Sequence, residues 1–230
     1  MVTPGNILEA DAQFLKYHQT LREELNNAYW HFAILKYLRE TGKDYLKEFN
    51  QAPAFFGLTM DAHVLSALMR LNKFLDKKKE HLSIRSFLDF VEANLDIFSD
   101  DAFERRLRDQ RTYYPDSLTG HVAITLQKVE EDRRKVNDLP ASEIRRWRNS
   151  VLAHIRTEDV LEDINIRNEY PIQLSKIELV IDTLDDMLND YLLAFDASFW
   201  AKHLALEDEI RHVLDAIRFK IAENRRLRGR

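Results

Sequence analysis

The chain contains no cysteine, and only 5 glycines and 5 prolines among 230 residues. Without a thiol there is no disulfide, no thiolate zinc site and no cysteine nucleophile, which fits a reducing compartment. So few glycines and prolines leave little punctuation for hairpins and short strands, and they favour long helices. Also missing is any run of about 18 uninterrupted apolar residues, so no membrane span is expected. The opening MVTPGNILEADAQF lacks the basic start and apolar run of a secretory signal, and the expected location is cytoplasmic. A formal net charge of −5 gives no global pull toward nucleic acid, so any such contact has to come from a local basic patch. No Walker loop, G-x-G-x-x-G or G-x-S-x-G occurs.

What is present is helical periodicity. The chain is 45% hydrophobic and 32% charged. From about Asp11 to Arg39, Phe14, Tyr17, Leu21, Leu25, Ala28, Phe32 and Leu35 recur at steps of three and four. NQAPAFFGLT reads as a loop, with Thr59 as the N-cap of a helix whose seam is Val64, Leu68, Leu71 and Leu75. Ser83 would cap a third helix, with Ile84, Phe87, Leu88, Val91 and Leu95 inside. SDDAFERRLRDQR reads as a short charged helix, and a further amphipathic segment runs from about Leu118 to Asn137. After NEYPIQ, a segment from about Leu174 to Phe199 carries Ile177, Ile181, Leu184, Leu188, Leu192 and Phe195. A last helix holds Ile210, Val213, Leu214, Ile217 and Ile221. The fold class is all-α: one domain over 1–230, a bundle over about 10–160 with a C-terminal helical pair over about 172–224.

The stretch SEIRRWRNSVLAHIRTED, residues 142 to 159, opens with Pro140 near its first turn. On a helical wheel centred on Ile144, Val151 and Ile155 fall within about 20° and Arg148 at about 40°, inside the apolar sector. Arg145 and Arg146 point away, and His154 lies at the sector's edge. An unpaired buried guanidinium costs several kcal/mol, so Arg148 must meet a carboxylate, a cleft or a ligand anion. The structural reading is an ion pair, with Asp61, Asn72 and Asp76 as the first partners to consider. The functional reading is a phosphate clamp.

RNSVLAH resembles the signature of HEPN domains: an arginine, a polar residue, then a histidine, here Arg148, Asn149 and His154. FFGLTMDAHVLSALMRLNKFLD (55–76), followed by SIRSFLDFVEANL, is similar to the AbiU-type abortive-infection branch of that family. The resemblance spans about residues 10 to 160. It implies an antiparallel helical bundle that forms a homodimer with the two motif helices lining a shared cleft. It further implies a metal-independent endoribonuclease without a cofactor, acting on RNA in antiphage defence or a toxin–antitoxin system. An antitoxin or neighbouring defence protein would be its partner. In that chemistry His154 moves protons at the ribose 2′-OH or the leaving 5′-oxygen, Arg148 holds the phosphate, and Asn149 supports it. Arg148 and His154 lie about 9 Å apart along a helix and about 120° around it, which suits a site shared by two helices across a two-fold axis. Some HEPN toxins carry a tyrosine two residues after the histidine, a target of nucleotidylation; Arg156 stands there in this chain. The rival reading is a non-catalytic dimerisation or binding module in which Arg148 is structural. A third is a nucleotide site in the same cleft.

Other groupings are weaker. Glu209 and His212 have E-x-x-H spacing, but a di-iron bundle needs a second such motif and there is none. The remaining histidines, His18, His31, His63, His81, His121 and His203, form no H-E-x-x-H and no close pair suited to a metal. RRLRDQR (105–111) and RRLRGR (225–230) are basic clusters whose default is a solvated helix face, with contact to an RNA backbone as the alternative. Tyr113 and Tyr114 offer stacking surfaces, with loop packing as the default.

Overall fold

The architecture was described from a computed structural model, for residues 4–78, 80–109, 121–147, 173–202 and 206–228. Among these, every regular element is a helix. The order is α1 (Pro4–Glu40), a short α2 (Leu46–Phe49), α3 (Pro53–Phe74), α4 (Ile84–Ala93), α5 (Asp100–Asp109), α6 (Leu126–Asp138), α7 (Ala141–Trp147), α8 (Leu174–Asp196) and α9 (Leu206–Arg228). An all-α bundle therefore stands as read from the sequence.

The core assembles from the predicted stripes. Phe14, Leu21, Leu25, Ala28 and Phe32 of α1 meet Leu68 and Leu71 of α3, Phe87 and Val91 of α4, and Ile181, Leu184 and Leu188 of α8. Phe14 stacks on Phe195 at 4.4 Å and meets Phe98 edge-on at 5.3 Å, the offset and edge-to-face geometries that aromatic quadrupoles prefer. α8 is embedded in this core, whereas α9 packs on α1 and α2 over a small second cluster of Tyr45, Phe56 and Leu214. The two C-terminal helices thus take separate places. Along α9, Ile210, Leu214 and Ile217 face that cluster, but Val213, expected inside, is exposed. One packed face admits positions four and three apart, and Val213 sits about 100° from Leu214.

Helix starts correct the reading in three places, the first being α1, which begins at Pro4 rather than near Asp11. α3 begins at Pro53, so most of NQAPAFFGLT is helical and Thr59 lies inside the helix rather than capping it. Proline's fixed φ favours a first helical position, and Phe56 gains burial in the second cluster by being helical. Gly57 within the helix has open space beyond its Cα. The segment expected from about Leu118 becomes helical only at Leu126, where Thr125 accepts from the Lys128 amide at 3.2 Å; residues 118–120 lie outside the described residues. Ser83 does cap α4, in a reciprocal arrangement with Ser86. α8 ends at Ala197, whose φ of 60° places it in the left-handed region, and its N–H reaches the Leu193 carbonyl at 3.0 Å.

Candidate functional site

Arg148, Asn149 and His154 lie outside the described residues, as do Tyr113, Tyr114, Arg156 and His203. What the structure does show is the platform from which the motif departs. α7 starts directly after Pro140, whose carbonyl accepts from the amides of Glu143 (3.1 Å) and Ile144 (3.2 Å). Ile144 is buried and Trp147 packs on the main core, so the wheel's apolar side faces inward as read. Lys176 of α8 pairs with Glu143 at 2.7 Å, and α7 rests on α3. The helix leading to Arg148 is therefore held on two sides.

The three partners considered for Arg148 fare differently. Asn72 is buried on α3. Asp76 lies beyond that helix's end, not on it, and is engaged by the His81 ring at 2.9 Å and the Lys78 amide at 3.1 Å. These contacts hold its carboxyl below the ordinary range, His81 contributing most. Asp61 sits half-buried on α3.

The bundle buries arginines that the sequence reading did not single out. Arg22 of α1, 1% exposed, donates to the Asp185 carboxylate and to Asn189 Oδ1 at 3.0 Å, both on α8. Asn189 is itself tied to the backbone of Trp200, accepting from its N–H at 3.1 Å and donating to its carbonyl at 3.2 Å. Burial pulls the Arg22 ionisation below the usual arginine value, and the Asp185 charge opposes it. One turn before Arg22, the His18 ring faces the Leu188 carbonyl at 3.0 Å. Burial, above all, drives its pKa down to about 4; the Leu188 carbonyl opposes that shift and the Arg22 charge adds to it. A signal for this seam existed: Asp185 and Asn189 are one turn apart and interrupt an otherwise apolar stripe.

RRLRDQR needs correction too. Arg106 is buried rather than solvated. It donates to Asp11 at 3.0 Å and to the carbonyls of Phe195 (2.7 Å) and Ile97 (2.5 Å), and its guanidinium lies 3.7 Å from the Phe195 ring centre. Arg105 joins the same Asp11 at 2.6 Å. Seven positions carry the cluster, yet helix phase sends one arginine into the core and carbonyls at helix ends receive it.

Two histidines separated by 32 positions, His31 on α1 and His63 on α3, meet with their Nδ1 atoms 2.9 Å apart, a pairing the sequence did not mark. Partial burial lowers both pKa values, helped by Arg70 at His31 and by His31 at His63. The antiparallel register of α1 on α3 makes the pair, since Glu24 also meets Arg70 at 2.9 Å and Lys73 at 3.0 Å. Among the described residues, no group of three or more His, Asp or Glu stands together to hold a metal, and no helix is long and apolar enough to cross a membrane. Glu209 and His212 are both exposed on α9.

Around the framework so defined, a family description matches: the model of the HEPN AbiU2 family covers residues 11–216. The chain belongs to that family, and the match reaches through α8 into α9, well past the point near residue 160 where the resemblance had been placed. No curated protein and no solved structure matches the chain.

Proposed function

We propose that the protein is a metal-independent endoribonuclease of the HEPN type, serving abortive infection or a toxin–antitoxin pair, with a composite site in a homodimer. The observation that carries this reading is the coincidence of family membership with an Arg148–Asn149–His154 signature. That signature begins one residue after a helix anchored to both α3 and α8. His154 takes the 2′-OH proton or protonates the 5′-oxygen leaving group. Arg148 offers its planar fork to the phosphate as negative charge builds, and Asn149 adds a neutral donor. No metal is required for this sequence of proton transfers.

One observation favours a second reading, a non-catalytic binding module. This bundle already buries two arginines on carboxylates, Arg22 on Asp185 and Arg106 on Asp11, so a third structural arginine would follow its habit. The discriminating experiment replaces Arg148 by Ala and measures both unfolding free energy and RNA cleavage. A phosphate clamp predicts unchanged stability with cleavage lost. A structural arginine predicts a loss of about 3–5 kcal/mol, because its carboxylate partner is left buried and unpaired.

A further inference from the structure

α1 and α3 each present one imidazole to the same point. His31 and His63 meet nearly head-on, Nδ1 to Nδ1 at 2.9 Å, with ring centres 5.1 Å apart and ring planes at 45°. Burial lowers the pKa of both rings, so both are neutral at pH 7. One ring then donates its Nδ1–H and the other accepts on a bare Nδ1. Both are only half-buried, which leaves the pair open to solvent. The register that makes the contact is fixed independently, further along the same two helices, where Glu24 takes Arg70 at 2.9 Å and Lys73 at 3.0 Å. Arg70, the cation that acts on His31, is thereby neutralised. Other described histidines are committed elsewhere: His18 to the Leu188 carbonyl, His81 to Asp76, and His121 to Asp100 and the Ala194 carbonyl.

We propose that His31 and His63 together bind a late first-row divalent metal ion, Cu2+ the most tightly, and that the ion ties α1 to α3. Neutral imidazole nitrogen is a ligand these ions favour, and affinity among them rises to Cu2+. Nitrogens 2.9 Å apart, each about 2.0–2.1 Å from a common ion, subtend about 90° at it. That is the angle between neighbouring positions of a square-planar or tetragonal ion. In the head-on pose the two lone pairs do not yet converge. Each ring has to swing about χ2, a broad torsion in histidine, and the half-exposed setting leaves room for it. The donor ring exchanges its Nδ1–H for an Nε2–H through solvent. Two bare Nδ1 atoms then face the ion, no proton is lost overall, and water takes the remaining ligand positions.

The two histidines stand 32 positions apart, so the ion closes a loop that holds α2 together with Tyr45 and Phe56 of the second cluster. Binding to this folded arrangement stabilises it by mass action. The site is separate from the RNA chemistry proposed above, which needs no metal, so either can fail without the other.

The test titrates the purified full chain with Cu2+ presented as its iminodiacetate complex, which leaves adjacent positions open for a pair of imidazoles. The expected result is one equivalent bound, with affinity at least about ten-fold lower in His31→Gln and in His63→Gln and unchanged in His81→Gln. The complex should raise the melting temperature of the parent and of neither pair variant. Electron spin-echo modulation of the parent should count two imidazoles on the copper, a readout that stands even where a variant fails to fold. A parent that binds no equivalent, a count of one imidazole, or binding undiminished in both pair variants (an adventitious ion on surface histidines only) would overturn the proposal.

Discussion

The seam between α1 and α8 and the outer face of α3 are built on opposite terms. At the seam, charged and polar groups are withdrawn from water and set against complements: Arg22 has Asp185 and Asn189, though its Nε finds no acceptor, and His18 has the Leu188 carbonyl. On α3, large apolar groups stand in water. The first region commits polar atoms to a single packing arrangement, so disturbing it costs stability. The second leaves apolar surface uncommitted, so disturbing it should leave the fold alone. Arg148 must follow one rule or the other.

The largest expected effect lies at the seam. Asp185→Ala leaves the Arg22 guanidinium buried without its counter-charge, and should lower the unfolding free energy by about 3–5 kcal/mol in urea titrations. A loss below about 1 kcal/mol would mean that water reaches the site and that the two regions do not differ in kind.

Next in size is the acid dependence of the same seam. Unfolded His18 gains its proton near the ordinary value of 6.5, while the folded ring resists until about pH 4. Between those values the unfolded state binds more protons, so this contribution is complete above about pH 6.5 and disappears as pH falls through 4. The gap corresponds to about 3 kcal/mol. His18→Gln, which keeps a donor for the Leu188 carbonyl, should flatten the stability profile between pH 7 and 4 relative to the parent; parallel profiles would contradict the assignment.

On the other side of the comparison, changes in stability should be small. Leu58→Glu is expected to alter unfolding free energy by no more than about 0.5 kcal/mol. His154→Ala should be as mild thermodynamically while reducing RNA cleavage by at least about 10²-fold, the usual contribution of a positioned acid or base. Thermal unfolding and single-turnover cleavage of the same preparations check both. A His154→Ala variant that melts several degrees lower would place that residue with the sealed seam.

The fold was largely legible because its helices declare themselves by period. The stripes of α1, α4 and α8 were read residue by residue, and Ser83 announced its cap. What escaped was pairing across distance. Nothing local marks His31 and His63 as neighbours, since only the register of α1 on α3 joins them. Arg106 looked like one basic residue among several, and its burial depends on Phe195 and Ile97 arriving from other elements. Pro53 was read as a breaker although proline at a first helical position starts a helix, and this hid the outer stripe of α3. Of the candidate site, the sequence supplied the Arg148, Asn149 and His154 signature, and the structure adds the anchored helix that leads into it.

The central claim is that this family member cuts RNA with its own side chains. It is tested most directly by incubating the purified full chain with a mixed RNA pool in EDTA, beside His154→Ala prepared identically, and by mapping the new ends. The account predicts cleavage by the parent alone, with 2′,3′-cyclic phosphates at the cut sites. Equal cleavage by both proteins, or intact RNA in both, would contradict it.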